Sequence, residues 1–309
     1  MIDLIIPYYN NPNGLRRTLS SINTKIFHIT VVDDGSTIGF KDKVNQFIRV
    51  NQNGGPGKAR QLGLERTNNP YVMFIDTGDK FVSKEVQNEI VKVIKSSPNT
   101  NIFSFKYYHY DKETNHLDNR LHGKVYKREF LEKYGISFCL KSSYMNEDIG
   151  FNMACRIISE SINNPIICID IPIIYQIKDP KSLTEKNNNE ALYKKQTRAL
   201  SLVSIHAIEI CNKNNFNTQV EINKIALALY YWFIRTAAER PEFIQEAWAG
   251  ARIFYSYFYS KIKPNELIIG NSYIKKCLAY KDKIKFPINI LRFVNDIQKN
   301  EIIPDKYLT

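Results

Sequence analysis

Ile29-Thr30-Val31-Val32-Asp33-Asp34-Gly35-Ser36 decides the fold. A β-branched run leads straight into two carboxylates, a glycine and a serine. A strand therefore ends at Val32, with its acids at the C-terminal tip. Three more segments have a related form: Ile5-Ile6-Pro7-Tyr8-Tyr9-Asn10 before it, then Phe74-Ile75-Asp76-Thr77-Gly78-Asp79 and Asn146-Glu147-Asp148 after it. Working outward, candidate strands Leu4–Pro7, Ile29–Val32, Phe47–Val50 and Tyr71–Ile75 alternate with helical patterns at 13–22, 56–67 and 83–96. Such alternation predicts βαβ units and a largely parallel sheet. The strands are nearly continuous in apolar residues, as expected when helices cover both faces. An α/β sheet of this kind presents its ligand site at the carboxyl ends of the strands, where these segments converge.

Beyond residue 100 the pattern is mixed. Ile102–Tyr108 reads as a strand, Lys127–Lys133 and Ile149–Ser159 as helices, and Pro165–Gln176 as β-rich again. Lys178–Glu190 is polar and reads as a loop. The rest follows a helical period near 190–213, 220–239 and 242–260, punctuated by Pro241, Pro264 and Pro287. Two aromatic runs stand out there, Tyr230-Tyr231-Trp232-Phe233 and Phe254-Tyr255-Ser256-Tyr257-Phe258-Tyr259. They suit either a helical core packing back on the first domain, or an oligomer or membrane-surface contact. Three regions result: 1–100, 101–190 and a helical 191–309.

At 309 residues, 43% apolar and 24% charged, the composition excludes a disordered chain. The net charge of +12 is spread out: 27 basic against 21 acidic residues over 1–195, and 16 against 10 beyond. An anionic partner fits this charge, whether a polyanionic acceptor, a nucleic acid or an anionic membrane surface. The five cysteines lack C-x-x-C spacing and leave one over, which points away from a zinc site and toward a reducing cytoplasm. No signal-peptide pattern opens the chain, and the longest apolar run, Ile225–Ile234, is too short to span a bilayer. A cytoplasmic protein, at most peripheral at the inner face of a membrane, is expected.

Each motif admits a plain and a chemical reading. Asp33-Asp34-Gly35-Ser36 is an Asp-Gly turn, or a pair of carboxylates that accept hydrogen bonds from a base or ribose. Asn53-Gly54-Gly55-Pro56-Gly57-Lys58-Ala59-Arg60 starts a helix whose first amides would aim outward, with Lys58 and Arg60 toward a diphosphate. It lacks the G-x-x-x-x-G-K-[ST] spacing. Asp76 and Asp79 at a buried strand's tip suit a hard cation, Mn²⁺ or Mg²⁺. Glu147-Asp148 either caps a helix's first turn or supplies a general base.

Together these motifs resemble the family 2 glycosyltransferases of GT-A fold. The resemblance rests on I-I-P-Y-Y-N, V-D-D-G-S, N-x-G-G-P-G-K-A-R-x-x-G, F-I-D-x-G-D and N-E-D, in that order over residues 1–185. Softer matches are Gly123–Leu131, Tyr175 and Ser182-Leu183-Thr184. The resemblance implies a GT-A, Rossmann-like α/β domain carrying a helical C-terminal appendage outside the family. It implies inverting transfer from a UDP-sugar to an acceptor hydroxyl on a bacterial cell-surface glycan or teichoic-acid-like polymer. Pro7, Tyr9, Asn10, Asp33 and Asp34 would hold the nucleoside, and Lys58 and Arg60 would lie near the diphosphate. Asp76 and Asp79 would bind metal, Asp148 would act as base with Glu147 orienting it, and Ser182 and Thr184 would sit on a closing loop. By the same resemblance, residues 1–100 would bind donor and 101–190 acceptor, with 191–309 left for oligomerisation, acceptor or membrane contact. Modified DNA bases as acceptor, and a non-catalytic nucleotide-sugar-binding scaffold, stay open as alternatives. One departure stands out: the family's metal motif is most often D-x-D, and here Gly78 fills its third position, with Asp79 next to it.

Overall fold

Strand β1 (Ile2–Tyr8) is buried along almost its whole length because it has a parallel neighbour on each side. The computed structural model describes residues 1–40, 42–110, 112–114, 120–178, 190–263 and 272–308, so Ser182 and Thr184 lie outside the described residues. After β1 come α1 (Pro12–Ser20), β2 (Phe27–Asp33), β3 (Gln46–Arg49), α2 (Pro56–Glu65), β4 (Tyr71–Phe74), β5 (Lys80–Phe81) and α3 (Val86–Ser96). Then follow β6 (Ile102–His109), β7 (Lys112–Glu113), β8 (Lys124–Lys127), α4 (Arg128–Lys133), α5 (Glu147–Ser161) and β9 (Ile167–Gln176). The sheet order is β3-β2-β1-β4-β8-β6-β9-β5, with β7 on β6. The expected α/β fold is the fold observed. Pairing is parallel across β3-β2-β1-β4, as the alternation implied, and β8 then runs antiparallel between β4 and β6. That reversal was not legible, because Lys124–Lys127 is short and half polar.

Register sets the site. Tyr8 lies opposite Asp33, and Ile5 opposite Phe74, so β1, β2 and β4 all release their chains at one edge. Apolar side chains of these strands, Leu4, Ile6, Val31 and Met73 among them, are fully buried. An aromatic group seats α5 beside β4: Phe138 stacks on Phe151 at 4.4 Å, and Phe74 meets both edge-on. Burying each ring stabilises by roughly 1.5–3 kcal/mol, and the group fixes where the first turn of α5 falls.

At the opposite end of β1, the Asp3 carboxylate is fully buried. It accepts from Asn69 N (2.7 Å), Asn69 Nδ2 (2.6 Å) and Arg128 Nη2 (2.9 Å). Arg128 also donates to the Leu64 and Asn69 carbonyls and to Thr67 Oγ1. A buried pair survives only with such additional bonds.

Two compact units are present, Met1–Ser182 and Leu183–Thr309. The second contains helices Glu190–Lys213, Gln219–Glu239, Ile244–Tyr257, Ser272–Leu278 and Ile290–Lys299. Both aromatic runs pack within this unit: Phe233 meets Trp248, Phe293 and Tyr307, and the Tyr255 hydroxyl donates to the Ala226 carbonyl at 2.7 Å. Tyr257 and Tyr259 are exposed. Among the described residues no helix is long and apolar enough to cross a membrane.

Candidate active site

Carboxylates gather at the C-terminal edge of β1, β2 and β4, and the chain uses some of them on itself. Asp33 Oδ1 accepts from Ser36 N at 2.8 Å, which closes the turn. Its Oδ2 is buried without a hydrogen-bond partner among the described residues; Arg49 Nε stands 3.7 Å away. Asp34 differs. Its two oxygens accept from Gly54 N (2.8 Å) and Gly55 N (2.7 Å), and burial pushes its carboxyl up against the pull of those amides.

The glycine-rich segment is thus held from within. Gly55 has φ +90°, and a Cβ there would stand 2.6 Å from the Ser143 carbonyl. Pro56 starts α2, and Gly57 N donates to Ser143 O at 2.9 Å. The amides expected to point outward at an anion are occupied by Asp34 and Ser143. Tyr144 fastens the same loop by donating its hydroxyl to Asn53. Lys58 is exposed, and its chain lies against Gly54.

Arg60 has neighbours other than those expected. Its buried guanidinium donates through Nη1 to Glu147 Oε1 (2.6 Å) and through Nη2 to Asp76 Oδ1 (2.5 Å), while Nε has no partner among the described residues. Burial alone would lower its pKa; the two carboxylates outweigh that and raise it. The fork ties β4's tip to the first turn of α5. Burial pushes Glu147 up to about 7 against the pull of Arg60. Asp148, beside it, is also raised by burial, opposed by the charges of Arg60 and His122. Its Oδ1 accepts from Ile149 N at 2.9 Å, and its carbonyl accepts from Asn152 Nδ2.

The Asp76–Asp79 turn explains its glycine. Asp79 N donates to Asp76 O at 3.1 Å, and Gly78 sits at φ +109°, a conformation that disfavours a side chain. Thr18 Oγ1 accepts from Gly78 N and donates to Asp79 O, while Arg17 Nε donates to Gly78 O. Curled in this way, the turn brings Asp79 back beside Asp76. His122, which sequence reasoning missed, completes the cluster. Its Nε2 lies 2.9 Å from Asp79 Oδ2 and 3.8 Å from Asp76 Oδ2. Its ring stacks on Tyr107, and Nδ1 is buried without a partner among the described residues. Burial would lower its pKa, yet Asp79 and Asp76 raise it. Burial lifts Asp79, while Arg60 and His122 overcome burial and lower Asp76. Asp76, Asp79 and His122 each offer one ligand atom, all within 4.8 Å of one another.

Pro7 accepts from Thr77 Oγ1 at 2.7 Å, Tyr9 is half exposed, and Asn10, at φ +48°, uses Oδ1 to hold Thr37 and Ile38 amides. Asn10 therefore staples the loop after β2. Four buried polar atoms without hydrogen-bond partners among the described residues, on Asp33, Arg60, His122 and Asn146, fall on these segments. Such atoms are rare, and together they mark a polar site.

A parallel half-sheet with carboxylates at this edge is the α/β arrangement that takes a ligand at its strand ends. Residues 3–150 match Glycosyl transferase family 2, and this part of the chain is a family 2 glycosyltransferase domain. It is similar to the teichoic acid poly(glycerol phosphate) polymerase of Staphylococcus epidermidis, 34% identical over 95 residues, 26% of this chain and 13% of that protein. It is also similar to the putative teichuronic acid biosynthesis glycosyltransferase TuaG of Bacillus subtilis, 26% identical over 109 residues, 31% of this chain and 43% of that one. The chain thus spans less than half the length of either relative. Among solved structures, S. aureus TarS 1–349 in complex with UDP superposes with a TM-score of 0.63 at 17% identity, over 96% of this chain and 90% of that chain. At that identity the likeness establishes the fold.

Proposed function

We propose that this chain transfers a sugar, with inversion, from a UDP-sugar to a hydroxyl of an anionic cell-surface polymer of the teichoic-acid type. The observation that carries it is the convergence of Asp33, Asp76, Asp79, His122, Glu147 and Asp148 at one sheet edge, with partnerless buried atoms among them. The teichoic and teichuronic acid relatives support the acceptor class, and the TarS likeness supports UDP as carrier.

Asp33 Oδ2 receives a uracil or ribose donor, with Tyr9 and Pro7 alongside. Asp34 and Asn10 act by holding the loops that frame the nucleoside, and exposed Lys58 brings positive charge beside the glycine-rich loop. Asp76, Asp79 and His122 hold a divalent cation. Two carboxylates and an imidazole form a mixed oxygen–nitrogen set that favours Mn²⁺ over Mg²⁺. When bound, such an ion neutralises charge on the departing diphosphate. Asp148 takes the proton from the acceptor hydroxyl as that oxygen attacks the anomeric carbon from the face opposite the diphosphate. Burial strengthens it as a base. Glu147, clamped by Arg60, keeps the α5 turn in position. Residues 1–100 serve the donor and 101–190 the acceptor.

A panel of UDP-sugars with Mn²⁺ and a polyol-phosphate acceptor tests this. Turnover that falls at least about 100-fold in Asp148→Asn, with UDP affinity kept, is expected. Tight UDP binding with no turnover on any donor would make the chain a scaffold and sink the proposal.

A further inference from the structure

The second unit has a cavity of about 130 Å³ lined by Lys285, Phe286, Pro287, Arg292, Lys306 and Tyr307. Three of its six lining residues are cations. Two aromatic rings line it: Phe286 and Tyr307 are buried and pack edge-on at 5.0 Å, and Phe233 meets both rings. Tyr307 OH donates to Asp296 Oδ2 at 2.8 Å. Lys306 Nζ is 2.6 Å from that same oxygen, and Arg292 Nε is 3.9 Å from it.

Asp296 therefore sets the charge balance. One carboxylate faces two cations, and Lys285 is exposed with no ion pair among the described residues. Two positive charges remain uncompensated around a concave, ring-floored space. The volume corresponds to about four waters, enough for a tetrahedral oxyanion. Lys281 and Lys283 precede Lys285 in the same segment with Asp282 between them, so residues 281–285 carry a net charge of +2. A single pocket suits one phosphate group; a pocket with further basic residues in the same segment suits a chain of them.

We propose that this cavity binds a phosphodiester of a polyol-phosphate polymer, with Lys285 and Arg292 as the anion-contacting residues and Lys306 poised by Asp296. It is a polymer-gripping site in the second unit, and it names the substrate class of the reaction above. In that respect it rests on the proposed function. Binding is measured without turnover, so failure here and failure of the transfer reaction are separable.

The experiment uses the full chain and fluorescent oligo(glycerol phosphate) in an anisotropy titration. Inorganic phosphate and a single-stranded oligodeoxynucleotide of equal charge serve as competitors. Lys285→Ala and Arg292→Gln are each expected to weaken polymer binding about tenfold and to flatten its salt dependence. Lys281→Ala, outside the cavity, is expected to weaken it less than threefold, and UDP affinity should be unchanged in all three. Inorganic phosphate is expected to compete only far above the polymer's concentration. The proposal is overturned if the cavity variants bind polymer within twofold of wild type, or if Lys281→Ala costs as much as they do. Phosphate competing as well as the polymer would overturn it too, as would tighter binding of the oligodeoxynucleotide.

Discussion

Arg60→Met removes the charged fork between Asp76, just past β4, and Glu147 in the first turn of α5. In wild type the guanidinium is buried and reaches Glu147 at 2.6 Å and Asp76 at 2.5 Å. Glu147's side chain is only 9% exposed, so losing its partner strands a carboxylate, a loss worth about 3–5 kcal/mol. Asp76 is 40% exposed and water screens it, so its share is below about 1 kcal/mol. Glu147 can escape part of the penalty by taking a proton, since burial already lifts it from 4.5 to about 7. A net loss of about 3 kcal/mol follows, which for a unit of this size lowers Tm by about 6–12 °C. The sign with pH is fixed by the raised pKa. A folded state that holds its proton more tightly than the unfolded chain loses stability as pH rises, from about 4.5 through about 7 in wild type. Without Arg60 the decline continues above 7, so the deficit is larger at pH 8 than at pH 6. Calorimetry reads this with an internal control. Both tryptophans, Trp232 and Trp248, lie in the second unit, so fluorescence follows that unit while calorimetry follows the whole chain. Arg60→Lys should recover only part, because an ammonium cannot span two carboxylates as a fork does. A Tm change under 2 °C, or one equal at pH 6 and pH 8, would refute the reasoning.

Three other outcomes are expected. His122→Ala should abolish most Mn²⁺-dependent strengthening of UDP binding while leaving metal-free UDP binding intact, measured by calorimetric titration; an unchanged Mn²⁺ effect would remove His122 from the ligand set. In Asp34→Ala the Gly54 and Gly55 amides lose a charged acceptor, at a cost of about 2–4 kcal/mol in the first unit's unfolding free energy, and UDP affinity should fall with it; normal stability would mean the loop is held by other contacts. Gly78→Ala forces a side chain into φ +109° and should cost about 1–3 kcal/mol and weaken metal binding, with thermal unfolding and Mn²⁺ titration as the readouts; a neutral result would mean the turn relaxes without moving Asp79.

Legibility followed sequence locality. The strands Leu4–Pro7, Ile29–Val32 and Tyr71–Ile75 lie within observed strands or overrun them by one residue, because apolar runs between turn signals are local information. The convergence of Asp33 and Asp76 follows from the parallel order of β2, β1 and β4, whereas Glu147 joins them through the aromatic packing of α5. What each acid bonds to is not local. Arg60 meets Glu147 across 87 residues, and Gly57 meets the Ser143 carbonyl, so neither amide nor guanidinium was free for the partner its own motif suggested. His122 carried no signal of its own beyond its position next to Gly123. Only the β4–β8–β6 pairing, which follows from long-range packing, brings it to Asp79.

The Asp3–Arg128 pair bears on how the chain is made. Arg128, the cationic partner of Asp3, is synthesised 125 positions after it. At about 5–20 residues per second, the nascent chain spends roughly 6–25 s with this carboxylate lacking its counter-charge. Asn69 arrives earlier and supplies two of the three bonds to it. Central strand β1 can therefore associate with β2 and β4 during synthesis, but it cannot lock until α4 emerges. The first unit commits to its fold late in its own translation, and substitutions at Arg128 should show up as lower yield of soluble chain before they alter anything at the opposite edge of the sheet.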